Sequence, residues 1–237
     1  MIAEAPPQPV PTLVQTIGRS VTGRPIRVVR RGADDAAVDV LIVGVIHGNE
    51  RAGLDVLRQL RYATPPAGVR LWLIPTVNPD GERRRTRQNA RGVDLNRNYP
   101  GGWQPIGSPW QTYYPGRAAA SEPETRAVQA LVRRVRPDVT LWYHQHANRV
   151  IRPAGGWSLI VARSYARTSR LPLLSWPPLR GTATGWQRAV DPTSAPLVIE
   201  LPAGPVRGAP LRRHVAAVWD VARLAVAWCA KDPRRCR

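Results

Sequence analysis

An imidazole and a carboxylate stand close together after a short apolar run. In LIVGVIHGNERAG, residues 41–53, five apolar side chains lead to His47, and Glu50 follows with only Gly48 and Asn49 between. An imidazole nitrogen and a carboxylate oxygen are ordinary zinc ligands, and a catalytic zinc site takes three protein ligands while leaving a further position open. A third ligand has to come from elsewhere, and the other histidines are His144, His146 and His214. His214 opens the last helix among arginines and reads as a solvated side chain. His144 and His146 are two apart, so on an extended strand they would face the same side. We take His144, which directly continues TLWY, as the third ligand, and His146 as a neighbour or substrate contact. A lone carboxylate, Glu200, sits inside a second apolar run, APLVIELPAG.

A basic stretch, ERRRTRQNARGVDLNRNYP (residues 82–100), adds Arg87, Arg97 and Asn96 among other arginines and asparagines. A guanidinium presents a planar fork that matches a carboxylate, and an asparagine adds an amide donor. Val93 and Leu95 alternate with Asp94 and Asn96, which marks part of the stretch as ordered rather than as a solvated charge run. Metal ligands beside a carboxylate clamp are what hydrolysis next to a free carboxylate needs.

These residues require a frame that brings them together. VDVLIVGVI (residues 38–46) is a continuous β-branched run, as in a strand covered on both faces. Helical spacing follows it in residues 50–62, a second such strand runs through VRLWLIPTVNPDG (69–81), and NPDG marks a turn. TIGRSVTGRPIRVVRRG (16–32) reads as a hairpin or edge strand, and residues 82–116, too long for a plain connector, as either disordered or a functional loop region. Ser121 in SEPET offers a helix cap before a periodic segment that stops at Pro137. PDVTLWYHQH is a further strand, SLIVARSYARTS (158–169) reads as a strand entering a helix, and residues 210–230 form a closing helix. Alternating strands and helices predict a single α/β domain with a mixed, mostly parallel sheet flanked by helices. His47, His144 and Glu200 all fall at or near strand ends, where such sheets bind ligands.

HGNE, NPDG, RRTR, GVDLNRNYP, EPET, WYHQH and VIELPAG occur here in the order found in the zinc carboxypeptidase family. The chain resembles most closely the short bacterial, murein peptide amidase-like branch, over residues 17–204. The resemblance implies one Zn²⁺ ion held by His47, Glu50 and His144, with Asp94 orienting His47. It implies that Arg87 stabilises the oxyanion, that Asn96 and Arg97 grip the free carboxylate of the substrate, and that Glu200 is the general base and acid. The expected activity is hydrolysis of a peptide bond, such as that between γ-D-glutamate and a diamino acid, in peptidoglycan-derived peptides. A general carboxypeptidase acting on ordinary peptides is the first alternative, and an arginine-rich polyanion-binding protein with a non-catalytic metal site is the second. Two features depart from the family. The segment ahead of Glu200, PLRGTATGWQRAVDP, has no tyrosine, and Tyr99, Tyr113 and Tyr114 lie elsewhere. Residues 182–186 contain no acidic or deeply apolar determinant, so neither a bulky apolar nor a basic terminal residue is expected.

Composition frames this reading. The 237 residues suffice for one substantial core, expected over residues 14–237 behind a proline-rich linker at 1–13. The net charge is +19, almost all from arginine, which suits an anionic envelope polymer as a secondary partner. No apolar run reaches the ~20 residues of a membrane span, and no basic segment followed by an apolar one opens the sequence. A monomer is expected, secreted or associated with the cell envelope, with a cytoplasmic location as the alternative. Cys229 and Cys236 could close a small disulfide loop in an oxidising compartment.

Overall fold

The computed structural model describes residues 12–231. The strands are β1 (Thr12–Arg19), β2 (Pro25–Arg31), β3 (Val38–Val43), β4 (Val69–Ile74), β5 (Val139–Gln145), β6 (Arg149–Ile151), β7 (Leu173–Leu174) and β8 (Ala195–Leu201). They form one sheet in the order β1-β2-β4-β3-β5-β8-β6-β7. The four central strands, β4, β3, β5 and β8, are parallel, the β1–β2 hairpin adds antiparallel to β4, and β6 adds antiparallel to β8. The sheet is therefore mixed with a parallel centre, as the sequence predicts.

The continuous apolar runs are explained by helices on both faces. Strand side chains alternate, so Val40 and Ile42 point into one core layer while Leu41 and Val43 point into the other. Helices α1 (Gly53–Tyr62), α4 (Gly156–Ser169) and α6 (Gly208–Lys231) cover the first layer with Val56, Leu60, Val161, Val218 and Val221. Helices α3 (Pro123–Val135) and α5 (Ala183–Val190) cover the second with Val128, Leu131 and Trp186. The remaining helix, α2 (Pro79–Arg84), starts at Pro79 behind an Asn78 cap that accepts from the Gly81 N–H at 2.9 Å.

Four local expectations change. Residues 158–169 are wholly helical in α4, because Ser158, Val161, Ala162, Tyr165, Ala166 and Ser169 are buried at helical spacing. The apolar run within it resembles a strand only when read without that spacing. Ser121 is not the cap of α3; its hydroxyl donates to Glu122, and the helix begins at Pro123. The stretch 82–116 is neither disordered nor plain loop, since α2 reaches into it and a 3₁₀ turn spans Leu95–Arg97. Strand β1 starts at Thr12, within the stretch read as linker, where Thr12 and Leu13 pair with Arg31 and Arg30. Residues 1–11 and Cys236 lie outside the described residues. No helix among the described residues is long and apolar enough to cross a membrane.

His214 is also corrected: it is buried at 2% exposure. Its Nδ1 shares a hydrogen bond with the Tyr165 hydroxyl at 2.9 Å, and that hydroxyl lies 3.0 Å from the Tyr143 hydroxyl of β5. Helix α6 turns the imidazole under α4, away from the arginines beside it in sequence. Burial, with a smaller contribution from Arg213, pushes the His214 pKa down to about 4. The unfolded chain therefore takes up this proton near pH 6.5 while the folded chain refuses it until about pH 4. The stabilisation this group confers is present above pH 6.5 and is lost as the pH falls to 4, amounting to about 3 kcal/mol in all. His214→Asn offers an amide oxygen to Tyr165 and does not titrate. Chelator-treated wild type should lose about 3 kcal/mol more than this variant between pH 7 and 4 in urea unfolding. Parallel pH profiles would refute a neutral, buried His214.

Candidate active site

The site lies at the carboxyl ends of β3, β5 and β8. Beyond β3 the chain runs through buried Val45 and Ile46 to His47, and the Glu50 N–H donates to the His47 carbonyl at 3.0 Å. That turn folds the carboxylate back over the ring. A Cβ at Gly48 would run into the Gly81–Glu82 peptide, so α2 packs against the turn closely enough to require glycine. The glycine thus serves the approach of α2 as well as the convergence of its two neighbours. From β5, His144 completes the group.

Three donor atoms meet here. Glu50 places Oε1 2.8 Å from His47 Nδ1 and Oε2 2.9 Å from His144 Nδ1, and the two Nδ1 atoms are 3.2 Å apart. All three side chains are buried. Metal–ligand bonds near 2.0–2.1 Å put neighbouring ligand atoms of a tetrahedral zinc about 3.3 Å apart, close to this spacing. The tautomer of His47 also fits, because its Nε2–H donates to Asp94 Oδ1 at 3.0 Å and leaves the Nδ1 lone pair facing the other donors. Burial opposes charge on these groups, but it is outweighed by the mutual attraction of His47, Glu50 and Asp94. The His47 pKa is accordingly raised, and both carboxylates are held well below their usual range. A deprotonated carboxylate is what a divalent cation needs, and the imidazole oriented by Asp94 gives up to it the Nδ1 proton that the raised pKa favours in its absence.

Asp94 is the hub of the surrounding shell. Besides His47 it accepts the Asn96 N–H at 2.9 Å and, on Oδ2, the Arg87 Nη2–H at 2.8 Å, and it is fully buried. Arg87 also donates to Glu50 Oε1 at 3.1 Å. Asn96 and Arg97 follow on the 3₁₀ turn, and both line the cleft. Asn96 is held by the Ala183 N–H, which donates to its Oδ1 at 3.0 Å. Burial lowers the Arg97 pKa from its ordinary value, against the pull of Asp94.

Glu200 comes from β8, whose parallel register sets it beside His144. It lines the same cleft, which has a volume of about 1080 Å³, together with His47, Glu50, Arg87, Asn96 and Arg97. His146 lies on the wall of this cleft, exposed beyond the end of β5, and is absent from the buried donor group.

The structure adds groups that the sequence reading passed over. Gln145 donates its backbone N–H to Glu50 at 3.2 Å, while its side chain accepts from the Ala52 N–H and donates to the Pro202 and Gly204 carbonyls. Its place between two histidines of interest was the available signal. Tyr113 lies over Arg97 at 4.9 Å and Arg87 at 5.7 Å, so a phenol does reach the cleft, from the long loop rather than from the segment ahead of Glu200. Arg188 and Arg152 also line the cleft.

The family model for zinc carboxypeptidase matches residues 5–175. The chain belongs to the zinc carboxypeptidase family. Zinc is the ion that gives the family its name, and the buried His47–Glu50–His144 group has the donors to hold it. Among zinc carboxypeptidase relatives, murein peptide amidase A of Escherichia coli (strain K12) is 31% identical over 141 residues, covering 54% of this chain and 57% of that protein. Carboxypeptidase SOL1 of Arabidopsis thaliana is 31% identical over 137 residues, covering 51% of this chain and 26% of that protein. The chain thus spans only part of the length of these curated relatives. In fold it is similar to murein-tripeptide amidase MpaA from Escherichia coli O157, with a TM-score of 0.72 at 24% identity over 92% of this chain and 93% of that one. Bovine thrombin-activatable fibrinolysis inhibitor gives a TM-score of 0.74 at 19% identity, over 93% of this chain and 92% of that one. The match to the family model stops at residue 175, so Glu200 lies beyond it.

Proposed function

We propose that this chain is a zinc-dependent hydrolase of amide bonds next to a free carboxylate, and that its substrate is a peptidoglycan-derived peptide cut between γ-D-glutamate and a diamino acid. The observation that carries the reading is the position of Glu200. It lies outside the matched family segment, yet β8 sets it beside His144 at the mouth of the donor group. A metal site that only braces the fold has no need of an extra carboxylate facing it across a cleft lined with arginines.

In this reading His47, Glu50 and His144 hold the ion. Bound zinc supplies Lewis acidity, polarising the scissile carbonyl and lowering the pKa of water toward ~7. Asn96 and Arg97 hold the free carboxylate of the substrate and so fix which bond reaches the reacting groups. Glu200 takes the proton of the attacking water and returns it to the leaving amine. Arg87, held by Asp94 and Glu50, offers its guanidinium to the negative charge that develops on the carbonyl oxygen. Asp94 keeps the proton of His47 on Nε2 throughout. Such fragments arise at the cell envelope, which is where the reading places the protein.

The test is hydrolysis of L-Ala-γ-D-Glu-diaminopimelate by the zinc-loaded protein. Release of free diaminopimelate, abolished by a chelator and restored by added zinc, is the expected result. Cleavage of ordinary C-terminal peptides without release of diaminopimelate would replace the muropeptide with the general carboxypeptidase alternative. If stoichiometric zinc binds and no amide of either kind is cut, the hydrolase reading fails.

A further inference from the structure

The far side of the cleft carries charge that the proposed chemistry does not use. On α5, Arg188 sits one helical turn after Thr184, and both line the cleft with Val198 of β8. Val198 and Glu200 are two apart on one strand and share its face, so this region adjoins the proposed general base. The guanidinium of Arg188 has no hydrogen bond or ion pair to any described residue. Burial of that group lowers its pKa although the residue as a whole remains exposed, and no carboxylate offsets the effect. The carboxylates lining the cleft are Glu50 and Glu200, and Glu50 is committed to His47, His144 and Arg87. Arg152 adds a second cation to the same wall.

A guanidinium placed in a substrate cleft without a counter-charge favours a ligand that brings one. Asn96 and Arg97 account for one carboxylate, the one adjoining the scissile bond. We propose that Arg188 is a specificity residue that binds a second carboxylate, carried on the side chain of the released residue. The proposal rests on the hydrolase reading and refines its substrate class, since diaminopimelate carries such a group and lysine lacks it. A basic terminal residue is correspondingly disfavoured. The sequence did not show this because Arg188 is one arginine among many, and only the packing of α5 beside β8 places it, still exposed, on the wall of the cleft with Val198.

Two matched pairs of free amino acids test it by calorimetry on the zinc-loaded protein: meso-diaminopimelate against L-lysine, and L-glutamate against L-glutamine. A charge-assisted contact of this kind predicts at least about tenfold tighter binding of the member with the extra carboxylate. Arg188→Gln should reduce that ratio to about twofold or less, and Arg188→Lys, which retains a cation, should keep part of it. Discrimination in both pairs supports recognition of any second carboxylate. Discrimination in the first pair alone supports the proposal with a diamino diacid as the source, and in the second pair alone with an acidic amino acid. Equal binding within both pairs overturns the proposal, as does a preference that survives in Arg188→Gln. Since binding is the readout, discrimination that depends on Arg188 without hydrolysis of any amide would keep the carboxylate contact at Arg188 and discard the hydrolase, and with it the released residue as the source of that carboxylate.

Discussion

Glu200→Gln is expected to lower kcat on any amide substrate by about 10²–10⁴ while leaving KM and zinc content nearly unchanged. The substitution is nearly isosteric. The Ala147 N–H lies 3.4 Å from Glu200 Oε2, and a glutamine oxygen can accept that contact as a carboxylate does. An amide cannot take a proton from water, so the variant removes the step assigned to Glu200 and little else. The donor group is untouched, because His47 and His144 bond to Glu50 and not to Glu200. Steady-state kinetics beside metal analysis of the same preparation separates the two effects. A fall in kcat with full zinc occupancy supports the assignment. An unchanged kcat would move the base to another group, and a loss of zinc would show that Glu200 helps to hold the ion.

The parts of this site differ in how far the sequence discloses them. His47 and Glu50 are legible because one turn carries both, and a turn's geometry is local. His144 is legible as the end of a strand, but its choice over His146 rests on where β5 stops, at Gln145. Glu200 has no local signature, since a glutamate in a short strand is as often structural. It gained meaning from the order of motifs, and the β5–β8 register then placed it beside His144. The alternating layers of the sheet follow from the apolar runs themselves. What failed depends on tertiary contacts: the burial of His214 under α4 and the helical register within 158–169. In each case the nearest residues in sequence suggest one environment and the packing of a distant helix supplies another.

Asp94→Asn should weaken zinc binding by about 10–100-fold and lower the stability of the metal-free protein by about 3–5 kcal/mol. Burial alone would raise the Asp94 pKa, but His47, Arg87 and Arg97 hold the carboxylate well below its usual range, so it is an anion in the folded state. As an anion it accepts from His47 Nε2–H and the Asn96 N–H on one oxygen and from Arg87 on the other. Asparagine has one acceptor oxygen and one amide donor, and neither orientation meets all of these. With its oxygen toward His47, the amide NH₂ opposes the Arg87 donors and leaves the guanidinium without that partner. With its NH₂ toward His47, the amide donates to Nε2, moves the ring proton to Nδ1 and removes the lone pair that faces Glu50 and His144. Competition against a chromophoric chelator measures the first loss, and urea unfolding in excess chelator measures the second. Glu200→Gln is the contrast, expected to show neither change. Wild-type zinc affinity in Asp94→Asn would mean that the tautomer of His47 is fixed by the cation itself and not by this carboxylate. Wild-type stability would mean that Arg87 loses nothing when its buried partner becomes neutral, and its anchoring would then pass to the remaining contacts with Glu50 and the Thr112 carbonyl.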